Sequence, residues 1–228
     1  AVTVLSEDLR DNLVAKLGPQ NGGRIHVIPN FVDTELLQPG DRMTQYRAEL
    51  AIGDGPVVLY AGNVGFSQSL DLVVDAARAC PDITFVINGD GAARPGLEAG
   101  AGGLTNLRFV GYQPAQRLSE VLASGDVHVV PLRAGLGNVS VPSKTYSSLA
   151  VARPVVASID DATEIPRLLA VAGAGISVAP GDREAFIQAI RALVDDPQRA
   201  AQLGDAGRRW VVAEASPAAV GDAYDQLM

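Results

Sequence analysis

The chain reads as an α/β protein, a Rossmann-like parallel sheet flanked by helices. Three observations predict this. Short apolar runs alternate with amphipathic stretches along all 228 residues, the pattern of repeated βαβ units. Two of the runs end in glycine-rich turns, Gly62-Asn-Val-Gly65 and Asn88-Gly-Asp-Gly91, where a parallel strand hands over to its crossover. The stretch Asn138–Ser158 reads as a loop, a helix with one polar face and a buried strand in succession.

Taken in order, the apolar runs place strands at Val2–Leu5, Ile25–Ile28, Val57–Ala61, Ile83–Ile87, Leu107–Val110, Val127–Val130, Pro154–Ala157 and Gly175–Val178. The periodic stretches between and after them place helices at Glu7–Leu17, Gln68–Cys80, Gln116–Ser124, Ser143–Ala152, Thr163–Ala170, Arg183–Val194, Pro197–Val212 and Pro217–Leu227. The segment Gln38–Asp54 is a seam, and its charged part, Asp41 to Glu49, is expected to form a small linking helix. Residues 1–39 hold one βαβ unit, too small to fold by itself. Residues 40–228 hold the remaining strands.

Composition narrows the function. Hydrophobic residues make up 47% of the chain, enough for a core, and the formal net charge is −8. That charge argues against a nucleic-acid partner, whose phosphates demand a basic face. Cys80 is the only cysteine, so no internal disulfide can form, which fits a reducing cytoplasm. No apolar run reaches the about 20 residues of a membrane span. No metal-ligand cluster and no Ser-His-Asp or Cys-His pattern stands out. His26 and His128 lie inside strands and read as satisfied sheet residues.

Lys144 is the most pointed residue. Only Lys16 and Lys144 among the 18 basic residues are lysines, so an ordinary solvated cation here would be an arginine. Pro142 suits the first turn of a helix, and a helix start carrying Ser143 and Lys144 suits a phosphate. Lys144, Ser147, Ser148 and Val151 share one face, with Tyr146, Leu149 and Ala150 opposite, against the sheet. A surface lysine beside a helix turn remains the alternative.

At Ser140-Val-Pro-Ser-Lys144, Tyr146-Ser147, Leu149-Ala150 and Arg153-Pro-Val155 the chain resembles retaining glycosyltransferases of family GT4, with the GT-B fold, nearest the branch building colanic-acid-like and O-antigen-like polysaccharides. The likeness extends to Val4–Arg10, Ile25–Asp33, Leu59–Gly65, Asn88–Gly91, Arg108–Tyr112 and Gly125–Pro131. It implies one half of a GT-B fold: residues 40–228 as the C-terminal nucleotide-sugar-binding domain, and residues 1–39 as the end of an N-terminal acceptor domain otherwise missing. The implied partner is a nucleoside diphosphate sugar, UDP before GDP, with no metal and no other cofactor. The implied acceptor is a polysaccharide or a lipid-linked sugar at the inner face of the membrane, with membrane contact through the missing domain. A fragment whose Val2–Leu5 and Ile25–Ile28 strands stand unpaired would expose apolar edges that a second copy could cover.

The same resemblance proposes site residues. Gly62, Asn63 and Gly65 occupy the phosphate turn, with a plain strand-to-helix turn as the alternative. The family's arginine and lysine clamp on the pyrophosphate is absent, since Asn63 and Gln68 stand at those positions. Arg133, in the loop Pro131–Gly137, is a substitute cation or an ordinary loop arginine. Of the family's paired glutamates, the ribose-binding one is replaced by Ser147 and the other by Val139. Gly111 and Tyr112 belong to the loop expected to border the base, unless Tyr112 merely packs on the next helix. Glu164 is a candidate to face the donor sugar. Asp90 is explained by a turn alone. A dinucleotide-binding dehydrogenase is excluded by the failure of G-x-G-x-x-G at Gly62–Ser67. A non-catalytic GT-B-like module that has lost its clamp, and a GT-B epimerase, stay open as alternatives.

Overall fold

A computed structural model describes residues 1–227. Near the N-terminus β1 (Val2–Val4) and β2 (Ile25–Val27) pair in parallel, with α1 (Glu7–Leu17) crossing between them. The expectation that these strands stand unpaired is corrected, because each satisfies one edge of the other, Val2 opposite Ile25 through Val4 opposite Val27. Ser6 caps α1 by accepting from the Leu9 N–H. The unit is tied to the rest of the chain by polar contacts. The Val32 N–H donates to the Ala215 carbonyl (2.9 Å), Arg208 donates to the carbonyls of Thr34 and Leu37, and Arg167 pairs with Asp8 at 2.6 Å.

The linking helix α2 (Gln45–Glu49) is shorter than Asp41–Glu49, because the Thr44 side chain caps it by accepting from the Arg47 N–H. Asp41 holds a turn instead, accepting from the Met43 N–H. Two residues of α2 are driven into the core. Tyr46 donates its N–H to the Glu120 carboxylate at 2.7 Å. Arg47, 1% exposed, donates to Asp126 at 2.6 Å and to the carbonyls of Ser124, Gly53 and Gly55. A buried guanidinium is tolerable only when its donors are engaged in this way.

The main sheet holds β3 (Val57–Ala61), β4 (Thr84–Asn88), β5 (Leu107–Val110), β6 (Val127–Pro131), β7 (Val155–Ser158) and β8 (Gly175–Val178), all parallel, in the order β5-β4-β3-β6-β7-β8. The Rossmann-like class expected from the apolar alternation is the class found. Helices α3 (Asp71–Ala79), α4 (Arg94–Gly100), α5 (Leu118–Ala123), α6 (Lys144–Ala150), α7 (Glu164–Ala172), α8 (Arg183–Val194), α9 (Pro197–Glu214) and α10 (Pro217–Asp225) follow in chain order. Two apolar clusters form, one including Leu59, Val86, Val130 and Leu149, the other including Val58, Phe85, Val129 and Phe186. Successive strand residues alternate between them, as the pleat requires. Helix α4 has no counterpart in the sequence reading, because Pro95, Gly96 and Gly100 are poor helix formers; Pro95 is harmless in the first turn, and Arg94 bonds Glu98 at 2.7 Å. Helix α3 starts later than Gln68, whose side chain is spent on the preceding turn, accepting from the Gly65 N–H.

Tyr146 and Leu149 do not rest on the sheet alone. Tyr146 packs against Trp210 of α9, ring centroids 6.2 Å apart. That approach needs glycine on α9: a Cβ at Gly204 would sit 2.2 Å from the Ala152 carbonyl oxygen, and one at Gly207 would sit 2.6 Å from Leu149. A Cβ at Gly221, in α10, would meet nothing within 4 Å. Alanine improves helix propensity at either position, yet we expect opposite signs. Gly204→Ala should lower the unfolding free energy by about 1–3 kcal/mol through overpacking, and Gly221→Ala should raise it by up to about 1 kcal/mol; urea denaturation of both variants measures this.

Candidate functional site

Chain order reverses at the centre of the sheet. From β3 the chain builds outward through β4 to β5, then returns to start β6 on the other side of β3. Such a reversal leaves a crevice at the carboxyl ends of the strands, where ligands of open α/β sheets bind. Here the two strands also part early. The β3–β4 ladder has five residue pairs, whereas β3 and β6 pair only at Val58–Val127 and Leu59–His128. Beyond that point a pocket of about 370 Å³ opens, lined by Ala61, Gly62, Asn63 and Asn88 on one side and by Ser143, Lys144, Ser147 and Ser148 on the other.

Lys144 crosses this pocket. Its Nζ lies 5.3 Å from the centre of the Tyr60 ring, within the range of a cation–π contact. Its stem runs over Gly62, where a Cβ would come within 2.5 Å of the lysine Cε. Gly62, at φ +145°, is therefore required both by its backbone and by the lysine. Among the described residues Nζ has neither an ion pair nor a hydrogen bond. Burial pushes the Lys144 ammonium below its ordinary 10.5, because water is removed and no counter-charge replaces it.

The glycine turns serve mainly to bring backbones together. A Cβ at Gly89 would lie 1.8 Å from the Gly62 carbonyl oxygen, and one at Gly91 would lie 2.4 Å from that of Val64. Their donors are largely used internally: Gly62 N–H to the Asn88 carbonyl, Val64 N–H to that of Asp90, Gly65 N–H to the Gln68 side chain. The Tyr60 hydroxyl pins the turn by donating to the Asn63 carbonyl at 2.5 Å. Lysine, rather than the Gly62–Gly65 amides, is the principal unsatisfied donor.

The other expected residues divide. Ser143 lines both this pocket and a smaller adjoining polar one of about 180 Å³ that also touches Gln68 and Ser140. Ser147 and Tyr112 line the main pocket, and the Tyr112 hydroxyl donates to the Asp90 carbonyl at 3.2 Å. Gly111 accepts from the Gln113 amide at the rim. Arg133 and Glu164 are not brought in. The Arg133 side chain is exposed, while its N–H ties the loop to the Ser67 carbonyl. That loop is held further by the Asp160 carboxylate, which accepts from Gly135 and Gly137 N–H at 2.9 Å each, so Asp160 is a loop anchor rather than a helix-end charge. Glu164 pairs with Arg167, itself held by Asp8.

Four polar pocket residues escaped the sequence reading as site residues: Asn88, Gln113, His128 and Ser148. Asn88 carried the one available signal, a polar residue closing the apolar run Phe85-Val-Ile. His128 is 2% exposed and fully engaged. Its Nε2 lies 2.9 Å from the Leu122 carbonyl, which can only accept, so Nε2 carries the proton and Nδ1 accepts from the Ser148 hydroxyl at 2.6 Å.

A second cavity, about 390 Å³, lies at the opposite ends of the strands among Pro56, Pro154 and the facing apolar ends of α8 and α9. Its Arg153 is committed to the carbonyls of Ala123, Gly125 and Gly40. The switch-point pocket, with its unpaired cation, is the functional candidate.

The chain also resembles known proteins. Residues 55–196 match the family model described as "Glycosyl transferases group 1". An alpha-D-kanosaminyltransferase of Streptomyces kanamyceticus is 28% identical over 97% of the chain, and the putative colanic acid biosynthesis glycosyl transferase WcaI of Escherichia coli (strain K12) is 34% identical over 59% of it. The chain spans 58% of the first and 34% of the second. Among solved structures, Anabaena Alr3699/HepE in complex with UDP-glucose superposes with a TM-score of 0.86 at 16% identity, covering 99% of this chain and 62% of that one. The C-terminal domain of a Francisella tularensis glycosyl transferase group 1 family protein gives 0.65 at 19% identity, covering 82% of this chain and 99% of that one.

The buried histidine makes a prediction about the pocket floor. Desolvation pushes His128 from 6.5 down to about 3, so between those values the unfolded chain binds the extra proton and the folded one does not. Stability from this residue is present above pH 6.5 and is lost as pH falls. Between pH 6.5 and 4.5, above the ordinary glutamate range, unfolding free energy should fall by up to about 1.4 kcal/mol per pH unit. His128→Gln should flatten that slope in urea denaturation series.

Proposed function

Because the chain belongs to the glycosyl transferases group 1 family, we propose that it is the donor-binding portion of a retaining glycosyltransferase. It binds a nucleoside diphosphate sugar, UDP in preference to GDP, and the acceptor is a polysaccharide or a lipid-linked sugar. Residues 40–228 form the donor domain and residues 1–39 the end of an acceptor domain. The observation that carries this reading is Lys144: a desolvated ammonium without a counter-ion, set over Gly62 in the switch-point pocket. The relatives' printed activities and the match to an isolated C-terminal domain support it.

In this proposal Lys144 receives the diphosphate, and Ser143 and the adjoining polar pocket adjoin it on the sugar side. The donor bond breaks with charge accumulating on the leaving diphosphate. A fixed cation in a desolvated site stabilises that charge without reorganising solvent. The leaving phosphate oxygen, on the same face as the incoming hydroxyl, assists its deprotonation, which gives retention. The Asn63 and Gln68 positions lack the usual clamp, and Gln68 is tied to the Gly65 N–H, so Lys144 carries the charge without them. The same absence favours the runner-up, a nucleotide-binding module without transfer activity. Residues 1–228 by themselves are expected to bind donor and to transfer little.

Calorimetry of UDP and GDP, free and as sugar conjugates, tests this. Lys144→Ala should weaken diphosphate binding by about 1–3 kcal/mol, the range of a charge-assisted hydrogen bond. Affinity should also fall as pH rises through the lowered Lys144 value, because the bound anion favours the protonated ammonium. Absence of any nucleotide binding would sink the donor-site reading. Binding that is blind to the mutation would remove Lys144 from it.

A further inference from the structure

Beyond the phosphate end, the pocket continues away from Lys144 toward Asn88, Tyr112, Gln113 and Leu118. This end is apolar on its α5 side and polar at the strand ends. Asn88 closes β4, 5% exposed, on the same strand face as Val86. Its Oδ1 accepts from the Tyr46 hydroxyl at 2.8 Å. Tyr46 comes from the linking helix, is 1% exposed, and its hydroxyl has no other partner among the described residues. The reverse amide orientation would leave the hydroxyl proton buried without an acceptor, at the cost of an unmade hydrogen bond. Tyr46 therefore fixes the Asn88 amide, and Nδ2, with no protein partner, is left as a donor on a pocket-lining residue.

Gln113 is set the opposite way. Its Nε2 donates to the Gly111 carbonyl at 3.2 Å, which leaves Oε1 as a free acceptor in the same pocket. A donor and an acceptor on two residues that line one pocket can complement a ring that offers a carbonyl beside an N–H. Uracil and guanine carry that edge. Cytosine and adenine offer an amino group beside a bare ring nitrogen, which sets donor against donor at Asn88.

We propose that Asn88 and Gln113 read the carbonyl–N–H edge of the donor's base, and that Tyr46 of the linking helix fixes Asn88 in the orientation that does so. This rests on the donor-site reading above. It adds the residues that set nucleobase choice, and it connects that choice to the linking helix, which is clamped onto α5 by Arg117 between Glu49 and Glu120.

UDP and CDP share ribose and diphosphate, so their affinity ratio isolates the base. Calorimetry should find UDP bound about tenfold or more tighter than CDP, the scale on which a site built for hydrogen bonds rejects a mismatched group. Asn88→Asp, which replaces the donor by an acceptor, should shrink the ratio at least several-fold, since Gln113 still opposes the bare ring nitrogen of CDP. Tyr46→Phe frees the amide to turn and should bring the ratio toward one, with UDP affinity reduced only a few-fold. Because Tyr46 and Asn88 are both buried, circular dichroism of each variant confirms its fold, and Asn88→Asp tests the proposal independently of Tyr46→Phe. Equal binding of UDP and CDP by the parent protein, or a ratio unmoved by Asn88→Asp, overturns the inference while leaving the donor site standing. Failure of every nucleoside diphosphate to bind overturns both.

Discussion

The reversal of chain order between β3 and β6 is the constraint on which the rest depends. Backbone cannot fill the space where two crossovers leave in opposite directions, so the early end of the β3–β6 ladder becomes a crevice. What lines it follows from that geometry. The turns after β3 and β4 must pass within contact distance, which dictates Gly62, Gly89 and Gly91. Helix α6 must close the far wall, and α9 can brace it only because Gly204 and Gly207 admit close approach. Lys144 is the first residue of α6 and is delivered over Gly62.

An ammonium in that position is costly to hold. It loses water, gains only the Tyr60 ring, and is offered no carboxylate. Two other buried ionisable groups are treated differently: Arg47, at the opposite ends of the strands, is held by Asp126 and by carbonyls, and His128 is kept neutral. The Thr145 and Tyr146 hydroxyls of the same helix are also buried without partners among the described residues, but only Lys144 among these three carries a charge, the feature that the proposed anion would meet.

Much of this was legible from residues alone. Strands β3, β5 and β8 fall on the expected runs, and β3 does so because a buried parallel strand is apolar throughout. Lys144 stood out because lysine is scarce in this chain. Other features depend on distant partners. Asn88 acquires its direction from Tyr46, 42 residues earlier, and no local pattern encodes that. Arg133 was a candidate substitute cation and Glu164 a candidate for the donor sugar, but neither lines the pocket: Arg133 lies in the Asp160-anchored loop and Glu164 pairs with Arg167. The linking helix proved shorter and α4 appeared unannounced, since capping by Thr44 and the bonds of Arg94 to Glu98 and to the Gly89 carbonyl outweighed charge and glycine content.

Lys144 is proposed as a desolvated cation that receives a diphosphate. With only two lysines in the chain, NMR of lysine selectively labelled at Cε, assigned with Lys144→Arg, can follow it directly. The account predicts that the Lys144 signal titrates below the ordinary 10.5 in the free protein and moves upward when UDP is added. A Lys144 signal that titrates at the ordinary value and ignores UDP would contradict it.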